Sequence, residues 1–282
     1  MTSTPVPYPL RNAEPAEAAR LGSLQSLHDA STARHLERLG VGPGWDCVEL
    51  GAGAGSVARW LLERVGDAGS VTAIDSDTAL LTDLAARTNA RVVQGDLTTL
   101  DFGSSCFDLA HSRSVLMHVP EADTVLEHLV PALRPGAAVL FEEVDGAPAV
   151  EAAAPGSGVD LPAPFRAVML PWAVSWSWAR RLPARLEALG FVDIEDDVRE
   201  DLLRGASPAA AFWQQTLRTI RPVVTDAARM DALGRSGSIV EDGTYDDMVA
   251  LLDDPDFEVP FSARHRVSAR WPGGATAVTP GV

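Results

Sequence analysis

Lysine is absent from this chain of 282 residues, and its basic side chains are all arginine. That excludes chemistry built on an amine side chain: Schiff bases, a pyridoxal-phosphate anchor, the phosphate-binding lysine of a P-loop. It also points to a GC-rich coding sequence, hence a bacterium. Cysteine is scarce. Cys47 and Cys106 cannot build a disulfide framework and read as small buried apolar groups. His28, His35, His128 and His265 show neither H-E-x-x-H nor C-x-x-C spacing, so no metal is expected. No apolar run approaches the ~18 residues of a membrane span. Met1–Leu10 lacks the basic and apolar regions of a secretory leader, so the expected setting is soluble and cytoplasmic. Positive charge is short as well: 39 acidic residues face 23 basic ones, a formal charge of -16. That balance argues against nucleic acid or an anionic membrane as the main partner. The clusters Glu195–Asp197 and Asp253–Asp254 read as solvated faces.

What is present is globular: 46% hydrophobic and 22% charged residues, enough chain for a sizeable core. Residues 1–12 hold three prolines and no period, an extended arm. Residues 13–39 suit one or two helices before the Gly40–Gly44 turn. Strands are expected at Cys47–Leu50, Ser70–Ile74, Arg91–Gln94, Phe107–Ala110 and Ala137–Val144. Helices are expected between them at Ser56–Val65, Thr78–Arg87 and Ala122–Leu133. This alternation implies a doubly wound α/β fold, a parallel sheet with helices on both faces. Residues 145–164 read as a long surface loop or lid. A helical stretch Phe165–Leu189 follows, then a strand at Gly190–Ile194. Helices are expected at Ala209–Ile220, Asp226–Leu233 and Thr244–Leu252, and a last strand at His265–Trp271. The division expected is an arm with helices (1–39), a core (40–145) and a helical cap with the last two strands (146–282).

The chemistry concentrates where the first strand meets the first helix of the core. Glu49-Leu50-Gly51-Ala52-Gly53-Ala54-Gly55-Ser56 lets the backbone pass close to a ligand and aims helix N–H groups at it. A dinucleotide site wants a third glycine where this chain has Ser56. Glu49 would repel a pyrophosphate. The pattern suits a phosphate-free ligand with an ammonium group, such as S-adenosylmethionine (SAM). Asp75, with Ser76 behind it, ends the second strand and can accept both ribose hydroxyls. Gly95-Asp96-Leu97 ends the third, where Asp96 can accept the adenine amine. His111 and Ser112 sit at the mouth of the fourth, where backbone carbonyls can hold an amino-acid moiety.

Together these segments resemble the class I SAM-dependent methyltransferases, and in particular bacterial methyltransferases of small natural products. ELGAGAG resembles the first family motif, AIDSD the second, QGD the third, FDLAHSRSVLMHVP the fourth, and LRPGAAVLFEEVD the entry to the fifth strand. The resemblance implies a Rossmann-like seven-stranded sheet of order 3-2-1-4-5-7-6, with strand 7 antiparallel. It implies SAM as cofactor and S-adenosylhomocysteine as product, with a methyl group passed to carbon, oxygen or nitrogen of a small molecule. Some relatives exchange the N-terminal arm between subunits, so a homodimer is compatible with it. The long stretch between the last two strands departs from the family's tight hairpin and implies a helical cap.

Each candidate has a plainer reading beside it. Asp75 can cap the next helix, although Asp77 is the better cap; Asp96 can be a turn aspartate. His111 and His118, flanking the presumed pocket, are candidates for a general base or for structural histidines. Of Glu142 and Glu143, which face opposite ways, at most one points into the site and the other pairs with an arginine on a helix. Glu142 is kept as a catalytic candidate. Tyr8 can close over the cofactor or belong to a loose terminus. Trp172 and Trp176, i and i+4, form an aromatic wall for a flat substrate or part of the core; Trp213 and Trp271 read as core. Two rivals stand beside a methyltransferase: a SAM-binding protein of cyclase-like, non-methylating activity, and a nicotinamide-dependent oxidoreductase.

Overall fold

A computed structural model describes residues 15–226 and 240–274. Its strands are β1 (Asp46–Leu50), β2 (Ser70–Asp75), β3 (Ala90–Gln94), β4 (Phe107–Arg113), β5 (Leu133–Asp145), β6 (Val192–Arg204) and β7 (Glu258–Arg270). They form one sheet in the order β3-β2-β1-β4-β5-β7-β6, as the resemblance implied. β1 pairs in parallel with β2 and β4, β2 with β3, and β4 with β5. The Gly136 N–H donates to Trp271 O at 2.6 Å, and the Trp271 N–H to Ala137 O at 2.8 Å. The start of β5 therefore meets the end of β7, which runs against it.

The central strands are apolar on both faces because helices cover both. Alternation then sorts the side chains into two cores. Val48, Leu50, Ala110, Val139 and Phe141 enter one, with Leu126, Leu186 and Trp271. Cys47, Leu109, Ala138 and Leu140 enter the other, with Leu36, Leu61 and Val65. Each wholly buried Leu or Phe contributes about 1.5–3 kcal/mol.

Helix α1 (Pro15–Arg38) is one helix. α2 (Ser56–Val65) has the expected bounds and buries Val57, Ala58, Leu61, Leu62 and Val65. It stops at Gly66, whose φ of 63° a side chain would disfavour. α3 (Thr82–Ala85) is far shorter than expected. The Asp77 carboxylate takes the Ala79 N–H at 3.1 Å, a local turn that competes with helix. α4 (Ala122–Leu129) ends in a 3-10 turn, Val130–Ala132, at Pro131. The surface loop expected at 145–164 contains α5 (Ala147–Ala152), which buries Ala149 and Ala152; the alanines that suggested a loop are good helix formers. The helical stretch expected over Phe165–Leu189 is broken into α6 (Ala163–Val168), α7 (Leu170–Ser175), a 3-10 turn (Ala179–Arg181) and α8 (Leu182–Ala188). Each of the three α-helices has proline in its first turn. β6 and β7 run well past the short strands expected. Residues 205–257 between them include α9 (Pro208–Val224) and α10 (Asp242–Leu251). The helix expected at Asp226–Leu233 lies, beyond Asp226, outside the described residues.

The described residues fall into two compact units. One is drawn from 28–144, 178–198 and the stretch from 264; the other from the stretch up to 27, 145–177 and 199–263. Both are discontinuous, unlike the division 1–39, 40–145 and 146–282, because α1, β6 and β7 each contribute residues to both.

Candidate functional site

The glycine loop joins β1 to α2 with Gly51, Gly53 and Gly55 at φ of 67°, 55° and 77°. Its tightness begins with the chain's own packing. A Cβ on Gly51 would lie 2.3 Å from Val115 Cγ2, and one on Gly55 2.8 Å from Leu81 Cδ2. The loop is tied to the end of β2: the Ala52 N–H donates to Ile74 O at 2.9 Å, and the Gly53 N–H to Asp75 Oδ2 at 2.7 Å. The other Asp75 oxygen accepts the Asp77 N–H at 3.0 Å. Burial pushes the Asp75 carboxyl upward, against the pull of these N–H groups. Ser76 is exposed beside it, and the Gly95 N–H donates to Asp75 O at 3.0 Å. Asp96 is exposed and accepts the Thr98 N–H and hydroxyl at 2.9 and 2.8 Å, a turn aspartate's bonds. The Leu97 side chain enters the core.

His111 is not at a mouth. β4 continues to Arg113, past the end expected at Ala110, so His111 lies within the strand and is wholly buried. Parallel register sets it opposite Glu49. Nδ1 bonds Glu49 Oε2 at 2.7 Å, and Nε2 approaches Glu142 Oε2 at 3.3 Å. Burial acts to lower its pKa, but the Glu49 charge and the bonds to both carboxylates outweigh this and push it up to about 9. Burial likewise opposes the Glu142 charge, and the bond and charge of His111 overcome it, so this carboxyl is held well below the usual range. Glu142 also accepts the Thr32 hydroxyl at 2.5 Å and Arg266 Nε at 3.1 Å. Arg113 joins Thr32 at 2.9 Å and Asp29 at 2.8 Å, and Asp29 accepts the Ser56 hydroxyl at 3.1 Å. The arginine expected opposite Glu142 or Glu143 thus pairs with Glu142 and comes from a strand rather than a helix.

Ser112 and Glu143 point to the opposite face. The Ser112 hydroxyl donates to Glu143 Oε1 at 3.1 Å. The same carboxylate accepts N–H groups of Val115, Leu116 and Met117 at 3.3, 3.1 and 3.1 Å. His118 is exposed at the end of the 3-10 turn Leu116–His118. A cavity of about 220 Å³ lies between α1 and α2, lined by Asp29, Thr32, Leu36, Ser56, Arg59 and Trp60 among others. It adjoins the His111 network rather than Asp75.

Trp176 is 4% exposed and packs on Trp213 and Phe261, with ring centroids 5.6 and 6.0 Å apart. α7 stops at Ser175, so Trp172 and Trp176 do not share a helix face; Trp176 is core and Trp172 half-buried. Trp271 is core, beside Phe191, and Trp213 half-buried in its cluster. Tyr8 lies outside the described residues. Sequence reasoning missed Thr32, Asp29, Arg113 and Arg266, whose meeting depends on folding. It named Glu143 without its role.

The donor set at the strand ends fits a nucleoside carrying hydroxyls and positive charge. Asp75 and Asp96 offer carboxylates, Glu49 being held by His111, and no basic residue stands in 49–56, 75–77 or 94–98 to meet a pyrophosphate. Arg59, in the first turn of α2, is engaged with Asp83 and Ala54 O. Among the described residues no cluster of three His, Cys, Asp or Glu could hold a metal, and no helix is long and apolar enough to cross a membrane.

A family model described as Methyltransferase domain matches residues 48–141. The ubiquinone/menaquinone biosynthesis C-methyltransferase of Legionella pneumophila is 29% identical over 133 residues, 44% of this chain and 53% of its own. Methyltransferase str2 of Strobilurus tenacellus is 29% identical over 139 residues, 49% of this chain and 50% of its own. The chain thus spans about half the length of the curated relatives it matches. Among solved structures, the (4+2)-cyclase SpnF aligns at a TM-score of 0.53, over 87% of this chain and 81% of that one at 18% identity, a likeness of fold.

Proposed function

We propose that this chain, whose residues 48–141 match a family model described as Methyltransferase domain, is a SAM-dependent enzyme that methylates a small aromatic or apolar molecule. The observation that carries this reading is the partly buried Asp75 carboxylate, bonded to the Gly53 N–H at 2.7 Å at the edge of a loop without basic side chains. Two carboxylate oxygens so placed suit the two hydroxyls of a ribose. The name of the Legionella relative, a C-methyltransferase of quinone biosynthesis, supports a ring-bearing acceptor.

When bound, the cofactor supplies a methyl group carried on a positively charged sulfur. Asp75 and Ser76 would hold its ribose, Gly51 to Gly55 would admit it close to the backbone, and Gly95 to Leu97 would flank its base, Asp96 offering an acceptor for the exocyclic amine. Glu49 is buried and paired with His111, so the potential that favours a cation over a phosphate rests on Asp75 and Asp96 and on the lack of basic side chains around the loop. His111 and Glu142 hold each other charged, so neither is ready to take a proton. A base, where the acceptor needs one, falls to His118 or Tyr8. Holding the acceptor in line contributes up to ~7–11 kcal/mol.

Incubation with SAM and a panel of aromatic acceptors, followed by mass spectrometry, tests the activity: S-adenosylhomocysteine and a methylated product are expected. SAM bound without either across the panel favours the cyclase-like rival. Asp75→Ala is expected to weaken SAM binding at least ~tenfold, since an ionised acceptor is lost; unchanged affinity by calorimetry removes the ribose assignment.

A further inference from the structure

Glu143 has no part in the roles above, yet its carboxylate is wholly buried and accepts four hydrogen bonds. Three come from consecutive backbone N–H groups, Val115 to Met117, and one from the Ser112 hydroxyl. The segment it grips is a tight reversal after β4. Ser114 takes φ of 56°, a left-handed conformation that costs a residue with a side chain, and its N–H donates to Glu142 O at 2.8 Å. Leu116 anchors the reversal in the core. Val115 packs against Gly51, close enough that a Cβ there would lie 2.3 Å from Val115 Cγ2. The grip on Val115 to Met117 is therefore transmitted to the first glycine of the loop.

We propose that Glu143 is a positioning residue for the cofactor: by gripping the backbone of Val115 to Met117 it seats Val115 on Gly51 and so sets the shape of the glycine loop. This rests on the reading of that loop as the SAM site. A carboxylate suits the task because it only accepts, whereas the amide of glutamine turns a donor toward an N–H group.

The test is SAM affinity by calorimetry, with KM and kcat wherever turnover is found. Glu143→Gln is expected to raise the dissociation constant about tenfold, the scale of one buried donor left unpaired. KM for SAM should rise alike while kcat at saturation stays within about twofold, because ground-state and transition-state binding fall together. Tyr245→Phe, which removes a buried hydrogen bond to Leu217 O in the other unit, controls for lost stability and should leave SAM affinity unchanged. Ser112→Ala removes a single donor and should shift affinity the same way by less, which keeps the test open if Glu143→Gln does not fold. Val115→Ala combined with Glu143→Gln should weaken binding by less than the product of the single effects, since both act through one contact. Wild-type affinity in Glu143→Gln, or in Ser112→Ala where the former does not fold, overturns this proposal alone. Full multiplicativity in the double variant does the same. A wild-type chain that binds no SAM overturns the reading of the site and this proposal with it.

Discussion

Without the His111 ring, the buried carboxylates of Glu49 and Glu142 would lose the cation that lies between them. His111→Leu is therefore expected to destabilise the chain by about 3–5 kcal/mol, the usual cost of leaving buried charge uncompensated, as read by urea unfolding. The pH dependence has a definite sign. The His111 pKa rises on folding from 6.5 to about 9, so its contribution is complete below 6.5 and is lost as pH climbs through about 9. Glu142 is depressed, so its share is present above the ordinary carboxylate range and is lost only in strong acid. Wild-type stability should fall between pH 7 and 10, and this fall should shrink in His111→Leu; parallel curves would rule out a charged His111. None of this was legible in the sequence. Glu49 and His111 are 62 positions apart and meet only because β1 and β4 pair in one register. Alternation did place Glu142 and Glu143 on opposite faces, but it said nothing of what either face holds.

Strands and helices repeat the lesson with a different cause. α2 was legible to the residue because its apolar spacing, its glycine loop before and Gly66 after are all local. The segment 163–188 was not, because apolar spacing continues across Pro171 and Pro183 while the helix does not. That break decides the fate of Trp176. Left outside α7, it closes an aromatic cluster with Trp213 and Phe261, whose rings meet edge-on at 5.0 Å. Trp176→Ala should cost about 3–5 kcal/mol, as large core truncations do. A loss under ~1 kcal/mol by urea unfolding would return the residue to the role of an exposed wall.

The whole chain carries a formal charge of -16 and no lysine, and its glycine loop is flanked by acids. A ligand panel by thermal shift should therefore separate cofactors by charge. SAM or S-adenosylhomocysteine at ~100 times its dissociation constant adds about 2.7 kcal/mol to the folded state, and a nicotinamide dinucleotide adds nothing. Stabilisation by the dinucleotide alone would reverse the assignment. The glycine loop and the acids at the strand ends were readable beforehand, because each is written in neighbouring residues; the sheet order was expected only from the family resemblance those motifs carry. Which arginine neutralises Glu142, what Glu143 grips, and why Trp176 is core were settled by folding. Those contacts join residues distant along the chain, and local propensity carries no information about a register chosen by packing many elements at once.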